Sequence, residues 1–279
     1  MKRKEEAFMK LLSIAGVCLY VMGCRTMAGE EIKPVVEKPV VEKEATMDQI
    51  LAARTRSPST DPLLMHFEII MEGKPAGCNV VSLKNIGKDS SDGFEYRLES
   101  MMMLPSGAQA EGIVTARLND KLEPREVELR RKTSPQNGET QLTVDKAVVG
   151  DKEVSLSRQV GIQSPTTRTV PRPDSPFVFG IEYLVHKIDA KRFPLFSIRE
   201  LNPQDGKIIT RHFRTEPGAD GKVSFVAKRD DGTDDYIYEV DAEGEIVTLS
   251  NPLLPVLCKR CSKERVEELR KTLTLPKQP

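Results

Sequence analysis

Phe94-Glu95-Tyr96-Arg97-Leu98-Glu99 alternates strictly between an apolar or aromatic side chain and a charged one. Successive side chains of a strand point to opposite faces, so this stretch predicts a strand with one face on a core and the other in water. The same pattern returns in Glu126-Val127-Glu128-Leu129-Arg130-Arg131 and in Tyr236-Ile237-Tyr238-Glu239-Val240. Extended outward, it predicts strands near 64–71, 78–85, 94–103, 110–118, 125–132, 140–147, 153–160, 194–201, 207–215, 222–229, 235–241 and 245–250. Asp92-Gly93, Asn137-Gly138, Asp205-Gly206, Asp220-Gly221, Asp231-Gly232 and Glu243-Gly244 punctuate them. Such pairs supply the positive φ of tight hairpins, and short connections pair neighbouring strands antiparallel. The expected fold class is therefore mainly β: a strongly curved antiparallel meander sheet or half-barrel.

Two helices are expected to interrupt the strands. Ser175 can cap a helix over 176–190 that begins at Pro176, with Phe177, Ile181, Leu184, Val185 and Ile188 at helical spacing and Lys187 and Lys191 near its negative end. A short C-terminal helix follows Ser262, with Val266, Leu269 and Leu273 on one side. The mid-chain helix is expected in or across the concave face of the sheet, reached by a Pro-rich connection over 161–176 that holds Arg168 and Arg172 as potential anion contacts.

The 279 residues carry 42 Lys+Arg against 42 Asp+Glu and no Trp. A neutral, aromatic-poor chain offers neither the basic stripe nor the stacking platform that nucleic acid requires. Its start is different in kind. Lys2, Arg3, Lys4 and Lys10 precede the apolar run Leu11–Met22, which is shorter than the roughly 20 residues a membrane-spanning helix needs. A basic segment followed by such a run reads as an export signal. The run ends in Val21-Met22-Gly23-Cys24. This resembles the lipobox of bacterial lipoproteins, with Gly23 at the cleavage position and Met22 a departure from the usual small residue.

The resemblance implies a signal peptide at 1–23, acyl chains (palmitate among them) on Cys24, and a place in the bacterial cell envelope facing the periplasm. Arg25 is not the usual inner-membrane retention residue, so the outer membrane is the expected one. One acyl chain holds a protein only marginally, whereas two or three anchor it stably. Over 24–62 a spacer is expected, because Lys33-Pro34-Val35-Val36-Glu37 repeats as Lys38-Pro39-Val40-Val41-Glu42, and Pro every five residues blocks a helix. A brief helix is expected over Met47–Arg54. The sheet domain is expected over 63–257 and a Cys-x-x-Cys plus helix over 258–279.

The opening strand with Gly73 and Gly77, the long strand run and the closing Tyr236-x-Tyr238-x-Val240-Asp241-x-x-Gly244 resemble a family of periplasmic β-rich proteins of unknown function. That family is broadly similar to half-barrel lipoprotein carriers of the envelope. The resemblance implies a fold and a compartment, and it transfers no catalytic residue.

Chemistry-bearing residues are few. Cys258-Lys259-Arg260-Cys261 reads first as a local disulfide in an oxidising compartment, with redox activity, metal binding or pairing with Cys78 as alternatives. Zinc would want four ligands, and no second pair is present. Asp230, Asp231, Asp234 and Asp235 read as a solvated turn, and the calcium-loop spacing is missing. His66, His186 and His212 fall in no metalloprotease or nucleophile-elbow motif. Met101 and Met103 are expected either to fill core or to line an adaptable apolar pocket. No cofactor is called for.

Three functions follow: a non-catalytic binding module for an apolar ligand or an envelope partner, a structural or assembly lipoprotein without ligand, or a thiol–disulfide protein. They are separable. A concave cavity on the order of several hundred Å3 favours ligand binding. A concave face filled by the mid-chain segment favours the structural reading. An exposed Cys258 beside a cleft favours redox chemistry.

Overall fold

The computed structural model describes residues 44–55, 63–86, 93–135, 138–186, 188–218, 221–230, 234–252 and 254–273. The expected signal peptide, Cys24 and most of the expected spacer lie outside them. The mainly β architecture is as read from sequence, with fourteen strands in one sheet where twelve were expected. They are β1 Leu63–Met71, β2 Lys74–Asn85, β3 Phe94–Met103, β4 Gln109–Leu118, β5 Pro124–Ser134, β6 Gln141–Val149, β7 Glu153–Val160 and β8 Thr166–Pro171, then β9 Leu195–Leu201, β10 Ile208–Pro217, β11 Val223–Arg229, β12 Asp234–Val240, β13 Ile246–Ser250 and β14 Val256–Arg260. Helices α1 Met47–Thr55, α2 Glu182–Val185 and α3 Lys263–Leu273 complete the described elements.

Every neighbouring pair of strands is antiparallel, and the order is β8-β7-β6-β5-β4-β3-β2-β1-β14-β13-β12-β11-β10-β9. Two meanders thus meet at the β1–β14 pair. The edge strands β8 and β9 are consecutive in the chain but are not paired, so the sheet stays open. Register shifts at Ile69/Ile70, Arg117/Leu118, Ala227/Lys228 and Glu239/Val240 bend it. The seam is closed by side chains. The turn after β9 lies against β6–β8, where Gln204 Nε2 is 3.3 Å from Asp145 and Arg168 donates to the Gln204 carbonyl at 3.2 Å. Arg131 pairs with the same buried Asp145. At Gly206, whose φ is +73, a Cβ would meet Val170 Cγ2 at 2.7 Å.

Alternation decides the two faces. Tyr96, Leu98 and Met102 of β3 and Val127 and Leu129 of β5 turn inward and are buried. Glu95, Arg97, Glu99, Glu111, Glu126, Glu128 and Arg130 turn outward, where Lys84–Glu95, Lys132–Glu111 and Lys146–Glu126 form ion pairs. A barrel that crosses a membrane needs an apolar outer band about 25 Å tall, which this charged face is not. Among the described residues, no helix is long and apolar enough to cross a membrane.

Three expectations change. Thr166–Pro171 is an edge strand rather than part of a loop; Pro171 is tolerated because it ends the strand. Val256–Arg260 is the central strand β14, hidden in the sequence behind Pro252 and Pro255. The helix expected over 176–190 is reduced to the single turn Glu182–Val185. Gly180 adopts φ +81 and breaks the helical path, while Val178 is drawn into a parallel bridge with Glu200. The folded unit also begins before Leu63. Ala45 bridges to Phe196, and Ile50 and Leu51 of α1 are buried in the main core. Thr46 and Gln49 cap α1 reciprocally, Thr46 N to Gln49 Oε1 at 2.9 Å and Gln49 N to Thr46 Oγ1 at 3.3 Å.

Candidate functional site: the plugged concave face

The concave face is occupied by the chain itself. Phe177, Val178, Phe179, Ile181, Tyr183, Leu184, Val185 and Ile188 are each at most 5% exposed and belong to the core formed with the inward strand residues. This plug is mostly apolar, as a segment surrounded by sheet must be, with Glu182 and His186 buried among its apolar side chains. Small inward residues of β4, Ala110 and Ala116, leave volume for it. Gly180 lies so close to the Tyr96 ring that a Cβ would sit 2.9 Å from its Cε2 and Cζ. Phe179 packs edge-on against the same ring, centroids 5.9 Å apart.

Within this apolar surround lies a polar cluster. The Tyr96 hydroxyl donates to Glu182 Oε2 at 3.0 Å. Gly180 N donates to Glu200 Oε1 at 3.1 Å, and the other Glu200 oxygen pairs with Arg211, whose guanidinium lies 5.3 Å from the Tyr236 ring centroid. Glu182, Glu200 and Arg211 are 2%, 1% and 3% exposed. Burial drives the Glu182 carboxyl above its ordinary range, against the opposing pull of the Tyr96 hydrogen bond and the Arg211 charge. Burial likewise raises Tyr96 and Tyr238 well above theirs. Sequence reading missed this cluster. Its one signal was polar residues at inward parity, Glu200 after Phe196 and Ile198, and Arg211 before Phe213.

Cys258 lies on the same inner side, 3% exposed, with Asn79 Nδ2 3.6 Å from its sulfur. Burial pushes its thiol up to about 12, so it is neither exposed nor a ready thiolate. The disulfide expected between Cys258 and Cys261 is not formed; the three described cysteines are free. The reason is alternation. Cys258 belongs to the inner core, whereas Cys261 packs with Cys78, Val266 and Leu269 on the outer face beneath α3. Pairing of Cys78 with Cys261 fails on register. Cys261 N bonds the His66 carbonyl while Cys78 lies opposite Glu68, two strands across and two residues along, roughly 12 Å by strand dimensions.

The other candidates are dispersed. Met101 faces outward and packs under α3, Met103 shares its parity, and it is Met102 that faces the core. The expected pocket lined by Met101 and Met103 is therefore not on the concave face. An apolar hollow lined by Tyr236, Leu249, Leu254, Val256 and Cys258 holds about 10 Å3, the room of one water. Arg172 is spent on the Gly150 carbonyl and Glu123, and stacks 5.7 Å from Phe177. His66, His186 and His212 do not meet. His212 does sit between Ser197, at 2.6 Å from Nδ1, and Asp230, at 3.2 Å from Nε2. Ser197 Oγ also donates to Glu44. Ser197 and His212 stand on the outer face of β9 and β10 and Asp230 follows β11, the His212 and Asp230 side chains being 51% and 65% exposed, so this trio is a surface network open to water. Among the described residues, no group of His, Cys, Asp and Glu is arranged to hold a metal ion.

No protein-family model matches the chain, and no curated protein matches it. Among solved structures it is similar to a β-barrel-like protein of a domain of unknown function, DUF1849, from Brucella abortus. The identity is 10%, the alignment covers 72% of this chain and 96% of that one, and the TM-score is 0.48.

Proposed function

We propose that this chain is a lipid-anchored protein of the bacterial envelope whose domain is a structural or assembly module, holding a protein partner on its outer surface and no ligand in its concavity. The observation that carries the reading is the filled concave face. Phe177–Ile188 takes the place that an apolar ligand would need, and the adjoining hollow of about 10 Å3 is far below the size of a ligand pocket. Burial of Cys258 removes the support for thiol–disulfide turnover. The anchor rests on Val21-Met22-Gly23-Cys24, and the Pro-containing repeats after it supply the reach from the outer membrane into the periplasm.

Native mass spectrometry of the protein extracted from its own membrane tests this. The expected species lacks residues 1–23, carries acyl chains at Cys24 and binds an envelope protein in fixed stoichiometry. After proteolytic removal of the acylated N-terminus, the domain should hold no lipid. Lipid retained by the isolated domain, or dithiol turnover, overturns the partner-binding reading. An unacylated chain overturns the anchor.

A further inference from the structure

The outer side of edge strand β9 carries two short parallel partners, both from segments outside the meander. Ala45 N donates to the Leu195 carbonyl at 2.8 Å and Ala45 bridges to Phe196. Val178 N donates to the Arg199 carbonyl at 2.8 Å, and Leu201 N donates back to the Val178 carbonyl at 3.0 Å. The first described residues and the start of the plug therefore lie end to end on one strand edge. Behind them α1 packs against both β9 and α2, and Ile50, 0% exposed, joins the core that holds the plug. On the outer face Glu44 accepts from Ser197 Oγ and stands 3.5 Å from His212 Nδ1. Glu44 and the strand bridge at Ala45 thus fall within the stretch 24–62 that was expected to be a spacer.

We propose that Glu44–Leu51 is a strap that locks the plug, so that whatever acts on the segment before Glu44 acts on the concave face. Among the described contacts, the strap is held by the Ala45 bridge, by Glu44 against Ser197 and His212 on the exposed face, and by buried Ile50 and Leu51 with Ala45 and Met47 packed beside the same core. It therefore belongs to the parts of a fold that open locally, well before the fourteen-stranded sheet does. Opening uncovers the β9 edge beside Val178 and removes Ile50 and Leu51 from the plug's surroundings. The plug then keeps its polar ties to Tyr96 and Glu200 but loses its cover. This goes beyond the partner-binding reading and does not depend on it.

Hydrogen exchange on the full chain tests the coupling with three variants of increasing severity. Ser197→Ala removes one exposed hydroxyl and leaves the core intact. Ala45→Pro removes the N–H given to Leu195. Ile50→Ala removes the buried cover. In each, amides of 44–51 and of 178–186 should speed up together by a common factor, about tenfold or more for Ala45→Pro, while β3–β5 stay unchanged. Maleimide labelling of Cys258 should accelerate in parallel. Opening of 44–51 with unchanged exchange at 178–186 overturns the lock. So does a parallel rise in β3–β5, which would mean global unfolding rather than a strap.

Discussion

Glu182 is a carboxylic acid held inside an aromatic core, with the Tyr96 hydroxyl as its hydrogen-bond donor. Its folded-state titration lies above the ordinary 4.5, so the folded protein binds a proton that the unfolded chain releases. The stability it lends is fully present below about pH 4.5 and is lost as pH rises through the folded value. Glu182→Gln keeps an acceptor for Tyr96 and removes the titration. It should raise the melting temperature at pH 8 and leave it nearly unchanged at pH 4, flattening the pH profile measured by circular dichroism; an unaltered profile would refute the assignment. At Gly180 the φ of +81 and the Tyr96 ring act together. Gly180→Ala should cost about 1–3 kcal/mol in urea denaturation, because the backbone disfavours an L residue there and the ring must move.

At the scale of elements, the buried Glu200–Arg211 pair joins β9 to β10, and Glu200 also holds Gly180 of the plug. Removing one charge strands the other. Arg211→Met should destabilise the fold by about 3–5 kcal/mol, and adding Glu200→Gln should recover much of that in a double-mutant cycle. Helix α3 is fastened differently, by Arg265–Glu68 and Arg270–Glu99 at its flanks and Val266 and Leu269 beneath. Truncation before Lys263 should make Cys78 reactive toward a thiol reagent while Cys258 stays protected, since the two lie on opposite faces of the sheet. Equal labelling of both would contradict that division.

For the whole molecule, the proposed anchor at Cys24 lies outside the described domain. Cys24→Ala should shift the protein from the membrane to the soluble fraction and abolish acyl labelling without altering the sheet's melting transition, because the described fold begins at Glu44. Retention at the membrane would show a second attachment.

Much of the sheet was legible because a strand's periodicity is local: Phe94–Leu98 or Tyr236–Val240 shows its inner and outer faces without any partner. The turn glycines and the α3 stripe were legible for the same reason. What sequence alone does not decide is how segments are shared out in space. Phe177–Ile188 carries helical spacing, yet a segment buried on all sides takes the backbone that its surroundings hydrogen-bond, here a bridge to Glu200 and one turn. Cys258 and Cys261 read as a pair in one dimension, and the pleat of β14 sends them to opposite faces. Glu200 and Arg211 meet as cross-strand neighbours of β9 and β10, whereas Tyr96 and Glu182, 86 residues apart, meet only because the sheet curves around the plug. Local chemistry thus determined the strands and their turns, and supplied the residues on which the proposed export signal and anchor rest, while only the tertiary structure decided what fills the concavity, since that depends on volumes and partners contributed by many distant strands at once.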